Sequence, residues 1–424
     1  MKLPARIAGT FIVRALAAAG SLALAALLVR AYSLGKFGEF SFAYTSVRLV
    51  GAMCLFSLDS LLLRVLLRGQ ERGGRLAGSA VAATAGLARI VAIAGFVLVA
   101  VLAVTMQQWR GADGFWTSLA LLSPIVVLQG SAALQASILR AQRRDAWSQA
   151  ITFTLPAVLP LAVVGTGWAG GSLPPFLPEI AVLAAHIVAV AIGWRLTGLG
   201  PLTHAMNGAR RFAQRRLKVL RYSGAIHGAN VMNYAADWYS ALLITLFASF
   251  EVTGVLRILQ QFGAAFGLLA VSLEVPFSSE IARAHIARKW SEVKRLLRLS
   301  QAGLAAIGAV LAAAIVAGSD LIFALFDLPP EPYRLPLFVL VGCYVLVLAT
   351  GAAASALNIM DCTARLVRSS AIALVLAFVL QTALVPFFGL TGAVLGIGLT
   401  VLAKAGVNYL SVRAELRSRQ ASAQ

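Results

Sequence analysis

Apolar stretches of about 20 residues or more follow one another down the chain, separated by short polar interruptions. Each is long enough, at about 1.5 Å per helical residue, to cross roughly 30 Å of hydrocarbon. The pattern predicts twelve spanning helices, over residues 7–32, 39–66, 80–106, 115–139, 147–168, 175–197, 222–249, 252–277, 300–326, 335–359, 369–388 and 391–412. The first apolar run follows MKLPARIAG. No small-residue cleavage site closes it, so it is read as the first span rather than as a leader. The expected class is an all-α polytopic membrane protein.

Composition agrees with the pattern. Of 424 residues, 60% are hydrophobic and 12% charged, with a mean hydropathy of +0.85, far from soluble globular proteins. A net charge of +20 suggests nucleic acid in a soluble chain, but here loop cations also set orientation in the membrane. Of the 36 lysines and arginines, those placed on the side away from the termini are Lys36, Arg110 and Arg334, so both termini are expected in the cytoplasm. Trp109, Trp116 and Trp168 fall at the outer interface, and Trp147, Trp194 and Trp290 at the inner one. The outer connections are short, which leaves no outer domain for chemistry. The longest loop, 195–221, is cytoplasmic and contains HAMNGARRFAQRRLKVLR, either a basic linker between halves or a stretch lying on anionic lipid. Cys54, Cys343 and Cys362 offer no CxxC pair, and the histidines are scattered. Neither a metal site nor a cofactor is expected, and no catalytic signature such as HExxH, a P-loop or GxSxG occurs.

The chain also repeats itself. Gly38 matches Gly254 at an offset of 216, and Ser57-Leu58-Asp59 matches Ser272-Leu273-Glu274 at 215. Ala136 to Leu139 matches Ala354 to Leu357 at 218, and Gly167 to Gly170 matches Gly389 to Gly392 at 222. Four matches in order at a nearly constant offset suggest duplication. With six spans per unit, the halves become parallel repeats about an axis along the membrane normal, enclosing a central cavity. The expected division is a lobe at 1–200, a basic linker at 201–221 and a lobe at 222–424 with a short cytoplasmic tail.

Ionisable residues inside the spans are the candidate chemistry, because each costs roughly 2.5–3.5 kcal/mol at mid-depth unless it meets water, a partner or a ligand. By residue count Arg48, Asp237 and Lys404 lie near mid-depth, Arg14 and Arg89 toward the cytoplasm and Arg257 toward the outside. Cations outnumber acids, so a shared cavity would be positive. Arginine's planar fork pairs with phosphate oxygens in two parallel hydrogen bonds, which suits an anionic headgroup. Arg14, Arg48, Arg89 and Lys404 are therefore the candidate substrate contacts. For Arg14 and Arg89 the alternative is pairing with Asp59 or Glu274, and for Arg48 an ion pair with Asp237. Arg30 and Arg64 lie close enough to an interface to snorkel. Asp59 and Glu274, each before a basic inner loop, are assigned with Arg257 as gate elements.

The seventh helix is polar. Asn230, Asn233 and Asp237 fall at i, i+3 and i+7 on one face. With Gln260 and Gln261 of the eighth helix they form either a wet surface able to bond sugar hydroxyls and couple ions, or polar glue between helices.

The turn LGKFGEFSFAY, the stretch ADWYSALLITLFASFEVTGVLRILQQFG and the segment VPFFGLTGAVLGIG resemble polysaccharide and oligosaccharide (O-antigen type) flippases of the multidrug/oligosaccharidyl-lipid/polysaccharide exporter superfamily. The resemblance implies two six-helix lobes, alternating access and transport of a polyprenyl-diphosphate-linked glycan across the bacterial inner membrane. It also implies partners such as a polymerase and a chain-length regulator, and no enzymatic activity. Two alternatives stand beside it. A cation-coupled multidrug antiporter of the same fold would use Asp237 for its ion. An integral-membrane glycan polymerase, ligase or glycosyltransferase would need larger outer loops.

Overall fold

The computed structural model describes residues 3–59, 61–63, 66, 77–110, 114–171, 173–198, 216–360 and 362–421. Among these no strand occurs and nearly everything is helix. In chain order the helices are α1 (Leu3–Ala31), α2 (Leu34–Leu55), α3 (Ala77–Arg110), α4 (Gly114–Leu122), α5 (Ile125–Ala141), α6 (Asp145–Gln149), α7 (Leu155–Ala169) and α8 (Leu177–Thr197). They continue as α9 (Arg216–Phe247), α10 (Phe250–Ile286), α11 (Trp290–Ala317), α12 (Ser319–Leu325), α13 (Glu331–Leu348), α14 (Ala353–Ile359) and α15 (Thr363–Ala421). The described residues of the twelve expected spans are almost entirely helical, and the protein is an all-α, multi-pass membrane protein of about twelve spanning helices.

Several spans are two helices joined at a break with a local cause. The fourth span parts between α4 and α5 at Ser123-Pro124, where proline removes a backbone donor and disfavours helical geometry in the residue before it. Ser123 Oγ caps the broken turn by donating to the Ala120 carbonyl at 2.7 Å. The equivalent tenth span parts between α13 and α14 at Gly351, where φ is +66°, a conformation glycine adopts without penalty. A π-helical turn, Ala150–Thr154, joins α6 to α7 just ahead of Pro156. α15 holds both of the last two expected spans, separated at Gly389, whose φ of 51° and ψ of −127° lie outside helical geometry. α10 and α15 run past the expected span ends, as far as Ile286 and Ala421.

The duplication shows in the caps. Ser33 caps α2 by accepting from the Lys36 amide, and Ser249 caps α10 by accepting from the Val252 amide, 216 residues later and at the offset of the Gly38 and Gly254 pair. Gln142 closes α5 and Met360 closes α14, 218 apart, as are the two Ala-Ser motifs in those helices.

Eight helical stretches among the described residues are, on length and composition alone, apolar enough to cross a membrane, and the last of them, Ala364–Ala421, covers two expected spans. The remaining expected spans fall on α2, α9 and α10. Those three helices carry Arg48, Asn230, Asn233, Asp237, Arg257, Gln260 and Gln261.

The chain forms two compact units, Met1–Tyr234 and Ala235–Gln424. In the first, Leu58, Leu62, Ala88, Leu134 and Ile138 pack α3 and α5 onto the segment after α2, and Ala136, Leu139, Ile151 and Ala189 join α5 to α8. Gly193 lets α8 approach α5 closely: a Cβ there would run into the Gln135 side-chain amide, which donates to the Val190 carbonyl at 3.2 Å. In the second, Ile281, Ala284, Val293, Leu297, Ala356, Leu357 and Val412 bring α10, α11, α14 and α15 together. The segment 201–215 and Arg64 lie outside the described residues, as does the side chain of Glu274.

Candidate functional site

In the first unit, α2 projects Tyr44 and Arg48 from successive turns of one face, an i, i+4 pair. The Arg48 guanidinium carbon lies 5.8 Å from the centre of the Tyr44 ring and 5.6 Å from that of Tyr234. Guanidinium planes stack on aromatic faces and are attracted by the ring quadrupole, worth about 0.5–2 kcal/mol depending on desolvation. Two rings therefore hold this cation in one orientation. Tyr44 is held in turn by Phe40, stacked at 6.0 Å, and by His186 of α8, edge-on at 6.1 Å. The buried His186 fixes its own ring through Nδ1, 2.8 Å from the Val182 carbonyl.

Below Arg48, α2 ends on Phe56 and Ser57, two consecutive residues with φ of 50° and 49°. That region is uncommon for any residue with a Cβ and an outlier for a bulky one. Helix α9 packs on this bend: the His227 ring lies 4.3 Å from that of Phe56, and Asn230 Nδ2 donates to Ser57 Oγ at 3.3 Å. Beyond the bend, Asp59 lies 3.9 Å from Arg140 of α5.

In the second unit, Asp237 of α9 accepts from Arg257 of α10 through both oxygens, at 3.0 and 3.1 Å, each bond from Nη1. Gln260 completes a triangle, accepting from the same Nη1 at 2.6 Å and donating to Asp237 at 3.0 Å. The Arg257 side chain is only 12% exposed while that of Asp237 is 41% exposed, so the acid presents the open edge of the network. Arg257 Nε and Nη2 and Gln261 Oε1 are buried without a hydrogen-bond partner among the described residues. Asn230 and Asn233, on the same stripe as Asp237, are exposed.

The sequence-predicted residues thus divide. Arg48 lies against the Tyr44 and Tyr234 rings. Arg14 is built into the wall, with Nε donating to Gln149 at 2.9 Å and its guanidinium 5.6 Å from the Phe153 ring. Arg89 and Lys404 are half-buried in their helices. Arg257, expected as a gate element, is the partner of Asp237. Sequence reasoning missed the ring cage, though Tyr44 stands one turn from Arg48. It also missed Glu179, a buried acid on α8 whose position at a span end suggests only solvent contact. Among the described residues no group of three or more His, Cys, Asp and Glu is placed to hold a metal ion.

No family model matches the chain. It is 27% identical over 200 residues to the probable flippase AglR of Haloferax volcanii, a match spanning 46% of this chain and 41% of that protein. Among solved structures, the lipid II flippase MurJ in an inward closed conformation superposes with a TM-score of 0.76 at 12% identity, over 95% of this chain and 87% of that one. An inward-facing multidrug resistance MATE family transporter gives 0.70 at 12% identity, over 100% and 97%. A transporter of the same superfamily from Pyrococcus furiosus, in which reversed polarity of the binding pocket suggests a different function, gives 0.68 at 13% identity, over 98% and 95%. At these identities the superpositions establish the fold, which is that of the superfamily's transporters.

Proposed function

We propose that the protein is a flippase that moves a polyprenyl-diphosphate-linked oligosaccharide from the inner to the outer leaflet of the bacterial cytoplasmic membrane by alternating access. It acts without covalent chemistry on its cargo, with both termini in the cytoplasm and the basic segment 201–221 linking lobes at 1–200 and 222–424. The single observation that carries this reading is the disposition of charge on the polar helices. Asp237 is already neutralised by Arg257, and Arg48 lies against two tyrosine rings that fix its planar fork. Such an arrangement favours an anionic headgroup over a cationic drug. The partial match to a probable flippase and the fold shared with a lipid II flippase point the same way.

In this account Arg48 receives the diphosphate, Arg89 and Lys404 are further candidate contacts, and Asn230 and Asn233 meet sugar hydroxyls. Arg14, engaged with Gln149, positions the first helix rather than the headgroup. The polyprenyl tail stays in lipid. Asp59 and Glu274 act at the ends of the pathway, Arg257 holds Asp237, and a polymerase and chain-length regulator receive the product. The antiporter alternative rests on the MATE superpositions, and it would require Asp237 to exchange its tethered arginine for a free cation.

The test is binding by the purified protein. Polyprenyl diphosphate should bind to the wild type and lose at least tenfold in affinity in Arg48→Ala, while tetraphenylphosphonium, a lipophilic cation, should bind neither. Saturable binding of the cation that Asp237→Asn removes would favour the antiporter instead.

A further inference from the structure

Glu179 stands outside the site described above. It lies on the first turn of α8, is 4% exposed, and lines a small pocket with Leu28, Tyr32, Lys36, Phe37, Phe40, Pro175 and Pro178. Its Oε1 accepts from the Ser118 hydroxyl of α4 at 2.5 Å, and its Oε2 has no hydrogen-bond partner among the described residues. Around it the titratable groups are Tyr32, whose hydroxyl donates to the Pro174 carbonyl at 2.9 Å, and Lys36 and Glu39, which pair with each other at 2.7 Å.

Two opposed influences act on this carboxyl. Burial penalises its ionised form, while the Ser118 hydroxyl and the N-terminal end of α8 favour it. The balance between the two sets whether this carboxyl holds a proton. A flexible amine lining the same pocket gives the loss of that proton a mechanical outcome.

We infer that Glu179 is a proton-binding site that drives the conformational cycle from the outer end of the first unit. With the proton on, the carboxyl is neutral and Lys36 stays paired with Glu39, the contact seen at 2.7 Å. With the proton released to water, the pocket holds an uncompensated carboxylate and Lys36 Nζ swings from Glu39 to Glu179. That movement draws the start of α2 toward the start of α8. The same two helices carry one side of the Arg48 cage: α2 bears Tyr44 and Arg48, and α8 bears His186, whose ring touches Tyr44. Lys36 and Arg48 are twelve residues apart on α2, about 18 Å along its axis. Proton release at one end of the α2 and α8 pair thus changes the geometry of the cage at the other, which is linkage between two sites through shared rigid elements.

The inference concerns the driving force of the transporter proposed above and takes its relevance from that reading, but its test uses the proton alone. The full-length protein in lipid nanodiscs is titrated from mildly acidic to mildly alkaline buffer while infrared difference spectra follow the carbonyl stretch of protonated carboxylic acids. The wild type should lose such a band as pH rises, and Glu179→Gln should lack it altogether. Ser118→Ala removes a bond that favours the carboxylate, so its band should persist to a more alkaline midpoint, a shift that a merely structural role would not produce. Retention of the same band in Glu179→Gln, its absence from the wild type, or an unmoved midpoint in Ser118→Ala would each overturn the assignment. None of these outcomes bears on which headgroup Arg48 takes.

Discussion

Arg257 reaches from α10 to Asp237 on α9 and meets both carboxylate oxygens through one nitrogen, at 3.0 and 3.1 Å. The pair is lopsided in burial, since the arginine is 12% exposed and the aspartate 41% exposed. Removing the aspartate leaves a buried guanidinium with Gln260 as its one acceptor among the described residues, whereas removing the arginine leaves an acid that water can reach. Asp237→Ala should therefore destabilise the protein by about 1–3 kcal/mol, below the range for fully buried pairs because the acid is half open. Arg257→Met should cost less, and adding it to Asp237→Ala should restore part of the loss. A double-mutant cycle on the unfolding midpoint measures this, and strict additivity would mean that the contact carries no energy.

For Arg48, charge and shape make separable contributions. Arg48→Lys keeps the charge but gives up the planar fork and most of the stacking on Tyr44 and Tyr234. Export of lipid-linked glycan should be abolished in Arg48→Ala and reduced several-fold in Arg48→Lys, with membrane insertion of both unchanged. Tyr234→Leu, which removes one ring, should fall between wild type and Arg48→Lys. Full export by Arg48→Lys would show that only the point charge matters.

The bend at Phe56 and Ser57 stores backbone strain of order 1–3 kcal/mol per residue. Ser57→Gly, which is at ease at φ of 49°, should hold or raise the melting temperature despite losing the hydrogen bond from Asn230. Ser57→Val should lower it, because a β-branched residue tolerates that region poorly. If the two variants melt alike, the left-handed geometry is not a constraint.

Duplication makes its own prediction. Ser33 and Ser249 perform the same capping bond 216 residues apart, so Ser33→Ala and Ser249→Ala should each cost about 1 kcal/mol. Lying in separate compact units, the two should add in chemical denaturation.

Hydrophobic length alone located the helices, because a spanning segment must satisfy its own backbone hydrogen bonds and has few choices but helix. The repeat was legible in short motifs, and the caps at Ser33 and Ser249 extend it to geometry. What could not be read was partnership. Depth along a helix says nothing about azimuth, so it does not show that Arg257 meets Asp237 through both carboxylate oxygens. Nor does depth show that Arg14 donates to Gln149 of the neighbouring helix. Glu179 escaped notice because an acid at a span end ordinarily meets water. Its burial depends on Ser118, 61 residues earlier, a contact that no local pattern encodes.

Mass spectrometry of polyprenyl-linked glycans in cells lacking this protein, complemented in turn with wild type and Arg48→Ala, tests the central claim most directly. The account predicts that complete, unpolymerised repeat units accumulate on the cytoplasmic face, that wild type clears them and that Arg48→Ala does not. An unchanged lipid-linked pool, accompanied by sensitivity to cationic drugs that wild type relieves, would contradict it.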